Sequence, residues 1–331
     1  MGVKNDIIKN CLSLGIDSIG FIKCRRFDEL ESFYKERKAL NLENEFEEQD
    51  IEKRINPKKY LQEGETIVSI AFPYLTSKEI KNNGFSVYTK GLDYHYVVNK
   101  YLDNICKIIE SYGGTAKTFV DSNSLPERYI AFLAGVGFIG KNNILINKKY
   151  GSYVFLGEII TDLKFYDEDR GSLKDLNSFK ECGECTKCYD ACPTKAINNY
   201  RKNSNICLSY LTQKKDLELW QMEKLDGRIF GCDTCQLICP YNIKKELSKI
   251  KEFNPLSFMN DDNNDDFIID MNNSDFKDTL KKTSCGWRGK NVLKRNALIR
   301  KALYLKDDSF IINDKKVESP YLREYINRLF N

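Results

Sequence analysis

The chain has a single histidine, His95, among 331 residues, which excludes histidine-rich metal sites. No GxGxxG stretch opens a strand–helix unit and no GxxxxGK[ST] loop occurs, so neither a nicotinamide Rossmann site nor a nucleotide cradle is on offer. Apolar runs are short. Nothing approaches the roughly 18 residues of a membrane span, and residues 1–20 carry charged and polar residues in every turn, which leaves no signal core. Arg25-Arg26 is followed by Phe27-Asp28-Glu29 rather than an apolar run, and Met1-Gly2 has Asp6 where a myristoylation signal needs Ser or Thr. Charge is nearly balanced: 52 basic against 48 acidic side chains give +4, which admits a polyanionic partner without demanding one. These absences predict a cytoplasmic globular protein with no membrane contact.

Cysteine is what the chain has in excess. Of twelve, eight lie between Cys182 and Cys239. The cytosol keeps thiols reduced, so they read as thiolate ligands rather than disulfides. The first run is Cys182, Cys185, Cys188 and Cys192-Pro193; the second is Cys232, Cys235 and Cys239-Pro240. Three cysteines spaced by two residues let one tight loop offer three thiolates to a cubane. The fourth, before proline, turns away, and in two-cluster ferredoxins it ligates the other cluster. The second run lacks a first cysteine, and Cys207 is the natural substitute. Exchange of ligands gives Cys182, Cys185, Cys188 and Cys239 for one 4Fe–4S cluster, and Cys192, Cys207, Cys232 and Cys235 for the other. Paired CxxC units also suit tetrahedral zinc; the three-cysteine run and the repeated Cys-Pro ending favour iron and sulfur. Cys11, Cys24, Cys106 and Cys285 are scattered and read as small buried hydrophobes.

Residues 1–170 read as an α/β catalytic domain, 171–250 as a ferredoxin-like two-cluster module, and 251–331 as a helical C-terminal region. Strands are predicted at Ser18–Ile22, Thr66–Phe72, Thr115–Val120, Ile144–Ile146 and Tyr153–Thr161, the last apolar on both faces and therefore inside the sheet. Helices are predicted from Tyr94 to about Tyr112, stopped by Gly113-Gly114, and over Pro126–Ala134. The Asn/Asp-rich segment Asn260–Asp275 reads as a solvated loop, and Arg288–Leu305 and Ser319–Phe330 as helices.

A second informative block runs from Val120-Asp121 to Lys141-Asn142. Asp121 falls just beyond a strand end, where α/β sheets place their sites, and Gly135, Gly137 and Gly140 would let backbone approach a large ligand. Glu127, in the first turn of the next helix, reads as a dipole partner or salt bridge. His95 lies in Asp93-Tyr94-His95, which begins like the cobalt-ligating DxHxxG motif but has Val98 at the glycine position.

Taken in order, Gly91-x-Asp93-Tyr94-His95, the Val120–Asn142 block, Phe155-Leu156-Gly157-Glu158, the cysteine runs, Cys207-x-Ser209-Tyr210-Leu211-Thr212 and Arg295-Asn296-Ala297-Leu298 resemble the cobalamin-dependent epoxyqueuosine reductases of bacterial tRNA modification, from about Arg54 to Ile299. The resemblance implies an α/β cobalamin-binding core with an inserted or appended ferredoxin-like two-cluster module and a short helical C-terminal region. It implies two-electron, two-proton reduction of the epoxide of epoxyqueuosine, at the tRNA wobble position, to the alkene of queuosine. A low-potential donor of flavodoxin or ferredoxin type would feed the clusters, and the clusters the cobalt. Asp121 would be the proton donor, its pKa raised by burial against the corrin. Arg54, His95, Lys141, Ser209 and Thr212 are candidate cobalamin contacts. Lys90, Lys141, Lys214 and Lys215 are candidates for tRNA phosphates. Ser124 stands where the family usually has Pro, and Phe138 where Trp is common. The region after Asn296 is shorter than in many members, and a monomer is expected. A reductive dehalogenase-like enzyme and a plain two-cluster electron carrier are the alternatives; the first lacks a usable export signal here, and the second needs no Asp121.

Overall fold

A computed structural model describes residues 2–198, 202–261, 264–307 and 319–330. Its centre is a four-stranded sheet of β1 (Ile19–Lys23), β2 (Thr66–Pro73), β3 (Ala116–Phe119) and β6 (Val154–Thr161), in the order β1-β2-β6-β3. A small hairpin of β4 (Phe138–Ile139) and β5 (Leu145–Ile146) lies beside it. All three pairings of the main sheet are antiparallel, with Ser69 of β2 and Phe119 of β3 opposite Glu158 on either side of β6. The chain is thus mixed α/β as expected, yet the helix–strand alternation does not produce a parallel sheet.

Strand β2 is buried along its whole length because helices cover both faces. Val68, Ile70 and Phe72 face one core with the helices Val3–Ser13 and Tyr94–Ser111; Ile67 and Ala71 face the other with the helix Glu127–Leu133. A sheet covered on both faces needs apolar residues at every position, whichever way its strands run. That explains why the apolar runs located the strands but not their direction.

The helix Tyr94–Ser111 forms where its sequence allows. Asp93 caps it by accepting from His95 N–H, and Val97, Val98, Leu102, Ile105, Cys106 and Ile109 make one buried stripe. Gly113, at φ +82°, takes the chain out. Gly157 on β6 lets this helix settle close, since a Cβ there would stand 2.8 Å from Val98 Cγ1. The next residue, Glu158, therefore points into the opposite layer.

The Asn/Asp-rich segment is not a solvated loop. It holds the helices Asp265–Asp270 and Asn273–Asp278, the second with a capping box from Asn272 and Asp275. Ile268 and Met271 pack with Phe230 and Leu293. Acidic and amide residues serve here as caps, and two apolar side chains suffice to dock the segment. The helix Lys290–Ile299 runs into a π-helix, Arg300–Leu305. Arg295, fully buried, reaches the carbonyls of Lys214 and Lys215, while Asn296 Nδ2 bridges the carbonyls of Thr212 and Ile229 at 2.7 Å each. The C-terminal region is thereby bolted to the loop after Cys207. Cys11, Cys24, Cys106 and Cys285 are buried, as expected. Among the described residues no helix is long and apolar enough to cross a membrane.

Candidate functional site

The eight clustered cysteines fall into two groups in space. Burial first, and then the negative charge of Cys182 and Cys185, raises Cys188 to about 11; Cys239 is raised by burial and by the same two residues. Burial raises Cys207, with further contributions from Cys232 and Cys192; Cys235 is pushed far up by burial and then by Cys232 and Cys207. This grouping parallels the two ligand sets expected from the spacing, although among the described residues no three His, Cys, Asp or Glu side chains converge on a single metal position; Cys188 also acts on Cys235, so the groups are neighbours. Four neighbouring thiols whose anionic forms repel one another become four thiolates only with a cationic core among them, which is what an iron–sulfur cluster supplies. The short helices Lys187–Ala191 and Thr234–Leu237 carry the middle cysteines of each run and pack against each other.

Exposed Asp121 and Arg128 and the contacts of Tyr88 mark a candidate cleft between this module and the sheet. Its floor is the Ser86–Tyr88 stretch, held to the module by Ser86 N–H on the Phe230 carbonyl at 2.9 Å and by Asp233, which accepts from Ser86 Oγ and Val87 N–H. Tyr88 reaches both the Ser209 hydroxyl and the field of Asp121. Asp121 has 61% of its side chain exposed, yet protein surrounds it on most sides. Arg128 shares that condition, accessible but enclosed. Surface that solvent reaches at the bottom of dense surroundings is the wall of a cavity for a large ligand. Tyr88 joins the two sides, since it meets both Ser209, two residues from Cys207, and Asp121.

Asp121 sits at φ +47°, a left-handed conformation uncommon outside glycine. Its Oδ2 accepts from Tyr94 Oη at 2.5 Å and lies 3.4 Å from His95 Nε2. His95 Nδ1 faces Asp93 Oδ1 at 2.8 Å, and Ser122 Oγ is 3.0 Å from Nε2. Burial alone would lower His95, but the hydrogen bonds of Asp121 and Asp93 outweigh it and raise the imidazole to about 9. For Asp121 burial works upwards, and the bonds from His95 and Tyr94 win, so its carboxyl is held below the usual range. Within the chain alone, then, Asp121 is drawn down and His95 up; the rise expected for Asp121 concerns burial against a corrin.

The other candidates divide. Ser209 lies on the cleft through Tyr88. Arg54 does not offer a free cation to a ligand: it pairs with Glu43 at 2.9 Å and Glu47 at 3.3 Å and lies over the Tyr34 ring. Thr212 is fully buried; its hydroxyl donates to the Ser209 carbonyl and accepts the Gly231 N–H, each at 2.9 Å. Lys141 belongs to the first cysteine loop, with Nζ on the Gly183 and Cys185 carbonyls and N–H on Cys182 Sγ at 3.4 Å. Lys90 is buried, its Nζ on the Lys81 carbonyl, and cannot meet a phosphate. Lys214 and Lys215 stay at the surface.

Three features had no sequence signal that assigned them a role. Tyr94 is the direct partner of Asp121. Glu158 is an acid hidden inside an apolar strand. An exposed aromatic group joins three distant segments: Phe46, 40% exposed, and Trp287, 52% exposed, have ring centres 5.1 Å apart, with Tyr210 beside Phe46 and Arg288 over both.

Comparison with known proteins bears on this geometry. A family profile described as "Epoxyqueuosine reductase QueG, DUF1730" matches residues 54–122, and one described as "4Fe-4S double cluster binding domain" matches 181–242. The epoxyqueuosine reductase of Bacillus subtilis is 35% identical over 327 residues, 93% of this chain and 80% of that protein; that of Lactococcus garvieae is 34% identical, covering 89% and 85%. A crystal structure of epoxyqueuosine reductase with an epoxyqueuosine-modified tRNA-Tyr stem loop superposes with a TM-score of 0.87 at 33% identity, over 98% of this chain and 88% of the other. The Bacillus subtilis enzyme, in a structure with its aspartate catalytic loop swung out of the active site, gives 0.86 at 32% identity over the same shares.

Proposed function

The chain belongs to the epoxyqueuosine reductase family, and from that premise we propose that it binds cobalamin in the cleft beneath the cysteine module and uses Asp121 as the proton donor for reduction of epoxyqueuosine in tRNA. The observation that carries this reading is that Tyr88 meets both Asp121, whose Oδ2 lies 3.4 Å from His95 Nε2, and Ser209, two residues from Cys207. Cobalamin bound there, reduced through the two clusters, would supply the low-potential metal centre that an epoxide deoxygenation requires. The reaction balances as epoxide, two electrons and two protons giving alkene and water.

The protein's part is the proton. In the open cleft the pair is ionic, with imidazolium Nε2 beside carboxylate Oδ2. With the cofactor in place, exclusion of water would favour the neutral form of the pair, and the proton would shift from His95 Nε2 to the Asp121 carboxyl. Asp93 keeps Nδ1 engaged and Nε2 aimed at Asp121. Tyr94 Oη fixes the carboxyl by donating to Oδ2, and the acid can then hand its proton to the departing oxygen.

Substrate contact moves from the lysines first considered to the aromatic group. Phe46, Tyr210 and Trp287, with Arg288 over Phe46 and Trp287, offer faces on which unpaired bases stack, and Lys214 and Lys215 lie close by in the chain for phosphates. Leu237, Ile238 and Ile243, all exposed beside Cys239, support entry of electrons at the first cluster.

Titration of the cluster-loaded protein with cobalamin tests the cofactor. We expect saturable one-to-one uptake with a shifted absorption spectrum, weakened at least tenfold when Ser209→Trp fills the cleft. Absence of uptake, or uptake indifferent to that substitution, contradicts the placement.

A further inference from the structure

Glu158 lies on β6 with no exposed surface. Ser69 Oγ donates to its Oε1 at 3.1 Å, and its Oε2 has no donor. What does reach it is a second acid: the Glu127 carboxyl, at the start of the helix Glu127–Leu133, comes within hydrogen-bonding reach. Two carboxylates cannot stand ionised together in a dry site; one proton between them turns repulsion into a hydrogen bond. Burial, then Glu127, pushes Glu158 far above the carboxyl range, and burial, then the charge of Asp121, raises Glu127 to about 7. The other groups facing Glu127 are Asn123 on the loop, Arg128 next along the helix and Tyr94 from the helix opposite. Arg128 is the nearby cation and draws Glu127 down; it in turn faces Tyr34, Arg37 and Glu47.

Glu127 also looks the other way. Its Oε1 accepts the Asp121 N–H at 2.7 Å and Asn123 Nδ2 at 2.6 Å. The left-handed backbone at Asp121 is a conformation that surrounding contacts must hold. We propose that Glu127 and Glu158 share one proton and together hold the Asp121 loop over the cleft, Glu127 as the positioning residue and Glu158 as the buried partner that keeps it in place. This rests on the reading of Asp121 as the acid, but the pair can be tested without turnover.

Hydrogen exchange of the loop amides, corrected for intrinsic rate, is the readout. An ionised Glu127 is the stronger acceptor, so protection of the Asp121 amide in the wild type should increase as pH rises through about 7. Glu127→Ala should speed exchange roughly ten- to hundredfold and lower kcat with little change in KM for tRNA. Glu127→Gln, isosteric and able to accept, should give a smaller acceleration and no pH step. Glu158→Gln donates an amide N–H to Glu127 and should keep the loop protected while moving the step to lower pH. Its stability should respond too. Folding raises both carboxyl pKa values, so the pair's contribution is complete below about pH 4.5 and falls as pH rises, through about 7 for Glu127 and onwards for Glu158; wild-type Tm should therefore decline against Glu158→Gln as pH rises above about 4.5. Unchanged loop exchange in Glu127→Ala, or in Glu127→Gln should the first fail to fold, overturns the proposal. So does a pH step that Glu158→Gln leaves unmoved. Loss of turnover in Asp121→Asn is a separate measurement, so the two readings can fail independently.

Discussion

Asp121→Asn is expected to keep both clusters, to bind cobalamin normally and to lose turnover by roughly 100- to 10,000-fold, the range a positioned general acid contributes. The substitution is nearly isosteric and leaves the Asp121 N–H on Glu127 and the Tyr94 contact in place. It removes the carboxyl that, in the proposed reaction, exchanges a proton with His95. The pH profile sharpens the test. His95, raised to about 9, holds the proton at neutral pH, so wild-type activity should persist through neutrality and decline as pH rises through about 9, where the imidazolium is lost. His95→Gln should bring that decline to lower pH and slow turnover, because Asp121 then has no neighbouring reserve. Near-normal turnover in Asp121→Asn removes Asp121 from the chemistry.

Cys207→Ala is expected to abolish reductant-driven turnover and to cut iron from about eight to about four atoms per chain. In the proposed ligand sets Cys207 is the member that neither run supplies, and the influence of Cys232 and Cys192 on it supports its place in the second set. The remaining cluster, on Cys182, Cys185, Cys188 and Cys239, should survive because its loop is separately held, by Lys141 on Gly183 and Cys185. Iron analysis and low-temperature electron paramagnetic resonance of the reduced protein check this. Retention of full iron in Cys207→Ala means that another residue completes the second set.

The cysteine module was legible because ligand spacing is itself the geometry: three thiols two residues apart, then a Cys-Pro turn, leave few ways to fold. Strand positions were legible from apolar runs, but their antiparallel pairing was not, since β2 and β6 are covered on both faces and carry no alternation. Asp121 could be singled out at a strand end. Its protonation could not, because it depends on His95 and Tyr94, brought from the start of another helix. Arg54, Lys90 and Lys141 show the same blindness for cations: a sequence displays a charge but not the Glu43, Lys81 carbonyl or Gly183 carbonyl that already engages it. The full burial of Thr212 was not legible in the sequence, and the aromatic group at Phe46 and Trp287 exists only once the fold joins segments far apart in the chain.

The most direct test of the account is anaerobic turnover of epoxyqueuosine-containing tRNA by the cluster-loaded protein with a low-potential reductant, with and without cobalamin, read by nucleoside mass spectrometry. The account predicts queuosine in amounts that exceed the protein, formed only when cobalamin is present. Queuosine formed equally without cobalamin, or none formed by protein holding both clusters and cobalamin, would contradict it.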